Sequence, residues 1–140
     1  MKIKYLLCTG LLVLTSSSWA DEDTRQMVKL PEMMQEHMLA NMRQHLETIN
    51  LILMQLSARE LDKAADTAEQ NLGMSSLDKH GAEHLAQFMP EAMRNTGTGM
   101  HRAASRFALK AQEGDVLSAY AAVQEITAAC VACHAAYRIR

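Results

Sequence analysis

Five consecutive residues near one end of this chain, Cys130-Val131-Ala132-Cys133-His134, bring two thiols and an imidazole within little more than one helical turn. At a composition of three Cys and six His, this order arises by chance about 0.003 times in the chain. On a helix, thiols three residues apart reach one side, where each can add to a vinyl group of a haem and form a thioether. The imidazole that follows lies beneath the porphyrin and offers a ring nitrogen to the iron. Three other readings use the same atoms: a disulfide, a redox-active dithiol, or half of a zinc site. A disulfide leaves His134 without a role. A thioredoxin-like pair opens a helix after a strand, whereas this one closes the last helix of a chain that reads as all-α. Zinc needs two further ligands, and no second Cys pair exists. One covalently bound haem c is therefore the expected cofactor, with Cys130 and Cys133 as thioether sites and His134 as an iron ligand.

Helices must position these residues, and the periodicity supplies four. Pro31 suits a first helical turn, where its missing N–H costs nothing. Met38, Met42, His45, Ile49, Ile52 and Leu56 then form one helical stripe, widened by Leu39, Leu46 and Leu53, so a first helix is expected over Pro31–Ser57. A shorter helix over Leu61–Leu72 is expected to stop at Gly73 in a left-handed cap. The stretch 74–90 reads as a partly helical connection, weakened at Gly81 and ended by Pro90. A third helix spans about Glu91–Gln112, softened early by Gly97 and Gly99. Asp115 caps a fourth, whose stripe passes through Val116, Tyr120, Val123, Thr127, Cys130, His134 and Tyr137. Residues 21–30 are polar and aperiodic, and no strand is expected. The fold class is all-α, a four-helix up-and-down bundle.

Length and charge narrow the rest. The 140 residues support one domain, and two Pro with six Gly are too few for a turn-rich all-β chain. Met1 to Ala20 reads as a signal peptide: lysines at 2 and 4, an apolar run from Tyr5 to Leu14 too short to span a bilayer, and a small-residue site at Ser18-Trp19-Ala20. Residues 21–140 are then the working domain. Removing the signal takes two of the 14 basic residues and none of the 16 acidic ones, so the net charge moves from −2 to −4. That sign argues against nucleic acid or an anionic membrane as partner. The expectation is a periplasmic protein without membrane insertion.

The run from Cys130 to Arg138, with Tyr137-Arg138 following the haem motif at the end of a last helix, resembles the class II cytochromes c, which comprise the cytochromes c′ and the low-spin cytochromes c-556. The resemblance implies a four-helix bundle carrying one haem, with His134 proximal and Arg138 close to the haem, either at a propionate or acting electrostatically on the proximal side. It also implies that a first-helix residue meets the distal face. A Met there gives a low-spin electron carrier, and a Leu leaves the iron open to NO or CO. Met38-Leu39-Ala40-Asn41-Met42-Arg43 is similar to that family segment and puts Met42 at the ligand position, although the family's Arg is Met38 here. His45, Met38 and Leu39 are the competing positions. Homodimers through the first two helices also follow from the resemblance, and the Leu39/Leu46/Leu53 flank permits one.

The expected function is one-electron transfer between larger periplasmic or membrane-bound redox proteins, met by transient docking, and not enzymatic catalysis. A five-coordinate gas binder and a haem-free copper or thiol-redox protein are the alternatives. His80 and His84, four apart, are expected to be solvated or capping, and His37 and His101 to lie at the surface or its boundary. Eleven Met, ten of them beyond the signal, keep copper in view.

Overall fold

The computed structural model describes residues 22–140, so the signal-peptide expectation over 1–20 lies outside the described residues. The chain is mostly helical. In order, β1 (Gln26–Met27) is followed by α1 (Glu32–Ser57), α2 (Leu61–Asn71), a single 3-10 turn (Met74–Ser76), α3 (Ala82–Ala86), α4 (Glu91–Gln112), α5 (Val116–Ala136) and β2 (Tyr137–Arg138).

Pro31 and Pro90 precede α1 and α4 with near-identical backbone angles, φ −54 and −55, and their carbonyls accept the first helical bonds from Gln35 and Arg94. Neither site needs the N–H that proline lacks. Asp115 caps α5 as expected, its carboxylate accepting from the Leu117 N–H at 3.1 Å. On α1 the stripe of Met38, His45, Ile52 and Leu56 faces inward. Asn41 and Thr48 join it, while Met42 and Ile49, which the sequence puts on its centre line, sit at its margin.

The main core is Phe107, Ile52, Leu56, Leu72 and Ile126 set among many alanines. Ala103, Ala104, Ala108 and Ala111 of α4 and Ala119 and Ala122 of α5 belong to this core, and α4 packs more extensively on α5 than on any other helix. The buried face of α5 is therefore Ala119, Ala122, Val123 and Ile126. This corrects the expected stripe: Tyr120 and His134 are exposed, because the alanine face and not the Tyr–His line packs on α4. Among the described residues α5 is the one helix long and apolar enough to cross a membrane, by length and composition alone.

Gly73 does not adopt the left-handed cap expected of it. Its φ of −70 and ψ of −178 are extended. The reason for glycine is space: a Cβ there would lie 2.8 Å from the Glu69 Cα. Gly81 does turn left-handed, at φ 61. The aperiodic lead-in also forms a strand. β1 pairs in parallel with β2, Gln26 opposite Tyr137 and Met27 opposite Arg138, and the Val28 N–H donates to the Arg138 carbonyl at 2.8 Å. This fastening joins segments over a hundred residues apart, so no local pattern announces it. It closes a second core of Val28, Met38, Leu85 and Met93, with Cys133, Tyr137 and Ile139 half-buried against it.

Candidate functional site

The last turns of α5 carry the Cys-x-x-Cys-His residues beyond its buried face of Ala119, Ala122, Val123 and Ile126. Here α1 and α5 scarcely touch, and a cleft of about 310 Å³ opens between them. Cys130, Cys133 and His134 all line it, with Met42, His45 and Leu46 from α1. Leu46 leaves 71% of its surface exposed and Met42 37%, so the cleft presents apolar area to solvent. Both cysteines are free thiols, half-buried, and burial pushes both pKa values up. The Cys130 thiol donates to the Ile126 carbonyl at 3.4 Å.

An adjoining hollow of about 380 Å³ is reached past Met42, Gly97, Cys133 and His134 and is walled at its far side by Arg138. The Arg138 Nε lies 3.4 Å from the Asp23 carboxylate, outside hydrogen-bond geometry, and is buried with no hydrogen-bond partner. Asp23 is bound mainly by Arg25, whose guanidinium hydrogen-bonds hold its carboxyl at about 2. Arg138 is thus a half-buried cation on the wall of the hollow, ion-paired with Asp23.

Gly97 borders both hollows and a third. A Cβ built on it meets nothing within 4 Å. The sequence marks Gly97 and Gly99 as soft points of a helix, yet α4 runs unbroken through them. Gly97 instead keeps the cleft wall flat.

The third hollow, about 140 Å³, contains a group that the sequence reading misses. His45, His80 and His101 pack ring against ring with centroids 4.7, 5.5 and 5.9 Å apart. They are 8%, 3% and 8% exposed. Burial, followed by the neighbouring rings, lowers His45 to about 3, and burial with His101 and Lys79 nearby lowers His80 to about 4. Burial also lowers His101. All three are therefore neutral at pH 7. His80 and His101 are corrections to the expectation of solvated or boundary residues, whereas His84 is exposed and shares nothing with His80. His101 could have been found: His101, Ala104, Ala108 and Ala111 recur at steps of 3, 4 and 3 on α4, a second inward stripe. His80 could not, because only the turn at Gly81 points it inward.

Five residues anticipated from the sequence thus assemble: Cys130, Cys133, His134 and Met42 on one cleft, and Arg138 on its extension. His45 stands on the cleft and also in the histidine group. No family model, curated protein or solved structure matches this chain.

Proposed function

We propose that the chain is a periplasmic monohaem c-type cytochrome with a four-helix-bundle fold, acting as a one-electron carrier. The observation that carries this is the shared cleft: both thiols, His134 and Met42 line one apolar opening between two helices that otherwise barely meet.

The residues suit the group on physical grounds. Two unpaired thiols one turn apart face a pocket of ligand size. Each can add across a vinyl double bond, its sulfur bonding one carbon and a proton going to the other. Gly97 leaves room for a flat ring, and Arg138 puts a positive charge on the wall of the adjoining hollow, where an anionic group could end. His134 presents an imidazole from α5, and Met42 a thioether from α1. When bound, a haem supplies reversible one-electron chemistry at iron. The chain's part is to fix its orientation, cover its edge with Leu46 and Ile49, and limit water. Met42 is favoured over His45 as the second residue that would hold the iron because it lines all three hollows, whereas His45 lines two and is packed against the rings of His80 and His101. The acidic balance suits transient docking to basic redox partners, with rates that fall as salt rises.

Haem staining of the denatured protein tests attachment. Stain retained by the wild type and lost in the Cys130→Ala, Cys133→Ala double variant is expected, since thioethers survive denaturation. An unstained wild-type band from a host with haem-attachment machinery would overturn the proposal.

A further inference from the structure

The wall of the 380 Å³ hollow carries a charge pattern that the haem reading leaves only partly used. Arg25, Arg138 and Arg140 line it, and among the described residues no Asp or Glu does. Arg25 comes from the lead-in before β1, Arg138 from β2, and Arg140 from just after it. Hydrogen bonds hold these segments together. The Val28 N–H donates to the Arg138 carbonyl at 2.8 Å, and the Gln35 amide of α1 donates to the Ile139 carbonyl.

One carboxylate ties two of the guanidiniums to each other. Asp23 accepts from Arg25 Nε and Nη2, each at 2.8 Å, and lies 3.4 Å from Arg138 Nε. Arg25 Nη1 reaches the other way and donates to the His134 carbonyl at 3.4 Å. A side chain of the lead-in thus touches the backbone of the Cys-x-x-Cys-His motif, over a hundred residues away in sequence. One side-chain carboxylate against three guanidiniums leaves positive charge in excess. The rest of the wall, Met38, Met42, Met89 and Met93 among others, brings no compensating charge. Like charges gathered on one hollow repel, and a bound anion relieves that repulsion.

The opening as a whole is polarised. The hollow shares Met42, Gly97, Cys133 and His134 with the 310 Å³ cleft. Away from those shared residues the cleft is walled by Leu46, Ile49, Leu72 and Ile126 and carries no arginine. A flat ligand spanning both must keep its carboxylates out of the aliphatic part, because an unpaired carboxylate buried there is strongly unfavourable. Guanidinium groups, by contrast, match carboxylates with two parallel hydrogen bonds.

We infer that Arg25, Arg138 and Arg140 bind the two propionate carboxylates of the haem, which makes the lead-in segment part of the cofactor site. This rests on the haem reading. A fixed cation beside the haem favours the iron state with one positive charge fewer, so each of these arginines raises the reduction potential.

The test is a mediated redox titration of the full mature, haem-stained protein. At the ambient potential that half-reduces the wild type, the ratio of reduced to oxidised protein should fall several-fold in Arg25→Gln and in Arg140→Gln. Arg25→Lys, which keeps the charge, should stay near the wild type. Arg106→Gln is the control: its guanidinium pairs with Glu125 on the surface and borders none of the hollows, so it should titrate as the wild type does. Circular dichroism checks that each variant is folded; should Arg25→Gln fail to fold, Arg140→Gln and Arg25→Lys decide. Folded Arg25→Gln and Arg140→Gln that titrate with the wild type would overturn the assignment. So would an Arg25→Lys that falls as far as Arg25→Gln, or an equal fall in Arg106→Gln, which would mark a bulk charge effect. An unstained wild type overturns the haem reading and this assignment with it, whereas a stained wild type with unshifted variants overturns this assignment alone.

Discussion

Gly97 gives the sharpest separation between stability and function. In a helix interior Gly is worse than Ala by about 0.8–1.0 kcal/mol. Gly97 and Gly99 both lie inside α4, and neither has an atom within 4 Å of where a Cβ would stand. Gly97→Ala and Gly99→Ala should therefore each raise stability by about 1 kcal/mol, or about 4 °C in Tm for a domain of this size. The two sites part company with a larger side chain. Gly99 borders none of the three hollows, whereas Gly97 borders all of them. Leu at 97 would push its isobutyl group into the cleft that Cys133, His134 and Met42 share, while Leu at 99 would keep the helical gain and leave the cleft open. The assay is haem per chain, from the pyridine haemochrome spectrum against peptide absorbance, with thermal unfolding followed by circular dichroism. Haem loading should drop well below wild type in Gly97→Leu alone. Equal loading and identical spectra in the two Leu variants would refute the idea that Gly97 is kept for the cleft.

Other expectations follow from the same geometry. The folded His45 and His80 titrate near 3 and 4, below the ordinary 6.5, so the unfolded chain binds more protons between those values and stability falls as pH drops through that window. Each histidine makes that loss about 1.4 kcal/mol per pH unit below 6.5, and urea midpoints that stay level between neutral pH and pH 4.5 would contradict it. Phe107, fully buried, should cost about 3–5 kcal/mol on Phe107→Ala, read as a lowered urea midpoint. Asp115→Ala removes the α5 cap and should cost about 1 kcal/mol, seen as a small drop in Tm with haem loading unchanged. Met42→Ala should convert a low-spin oxidised spectrum to high spin, and an unaltered spectrum would remove Met42 from the iron.

The helices could be read from the sequence because each announces itself locally: the 3–4 spacing from Met38 to Leu56, proline before α1 and α4, and Asp115 before α5. The motif at Cys130–His134 was equally plain, since its chemistry resides in five adjacent residues. What escaped was set by contacts between distant segments. The β1–β2 pairing depends on the tail after α5 returning to the lead-in. The inward turn of His80 depends on a left-handed Gly81 and on Asn41 of another helix. The α5 face was misread because alanine carries little hydropathic weight, yet Ala119 and Ala122 lie in the core that α5 shares with α4. Gly73 was misread because a glycine after a helix suggests a cap, whereas the approach of Glu69 is what demands it.

The central claim is a covalent haem held between α1 and α5, and an absorption spectrum tests it most directly. Protein matured in a host with haem-attachment machinery should be recorded oxidised, reduced, and reduced under CO. Sharp low-spin bands that CO leaves unchanged are the predicted result, placing a second ligand from α1 on the iron. Broad bands that shift with CO would contradict the electron-carrier reading and point to an open site for small gases. A spectrum without haem would contradict the account as a whole.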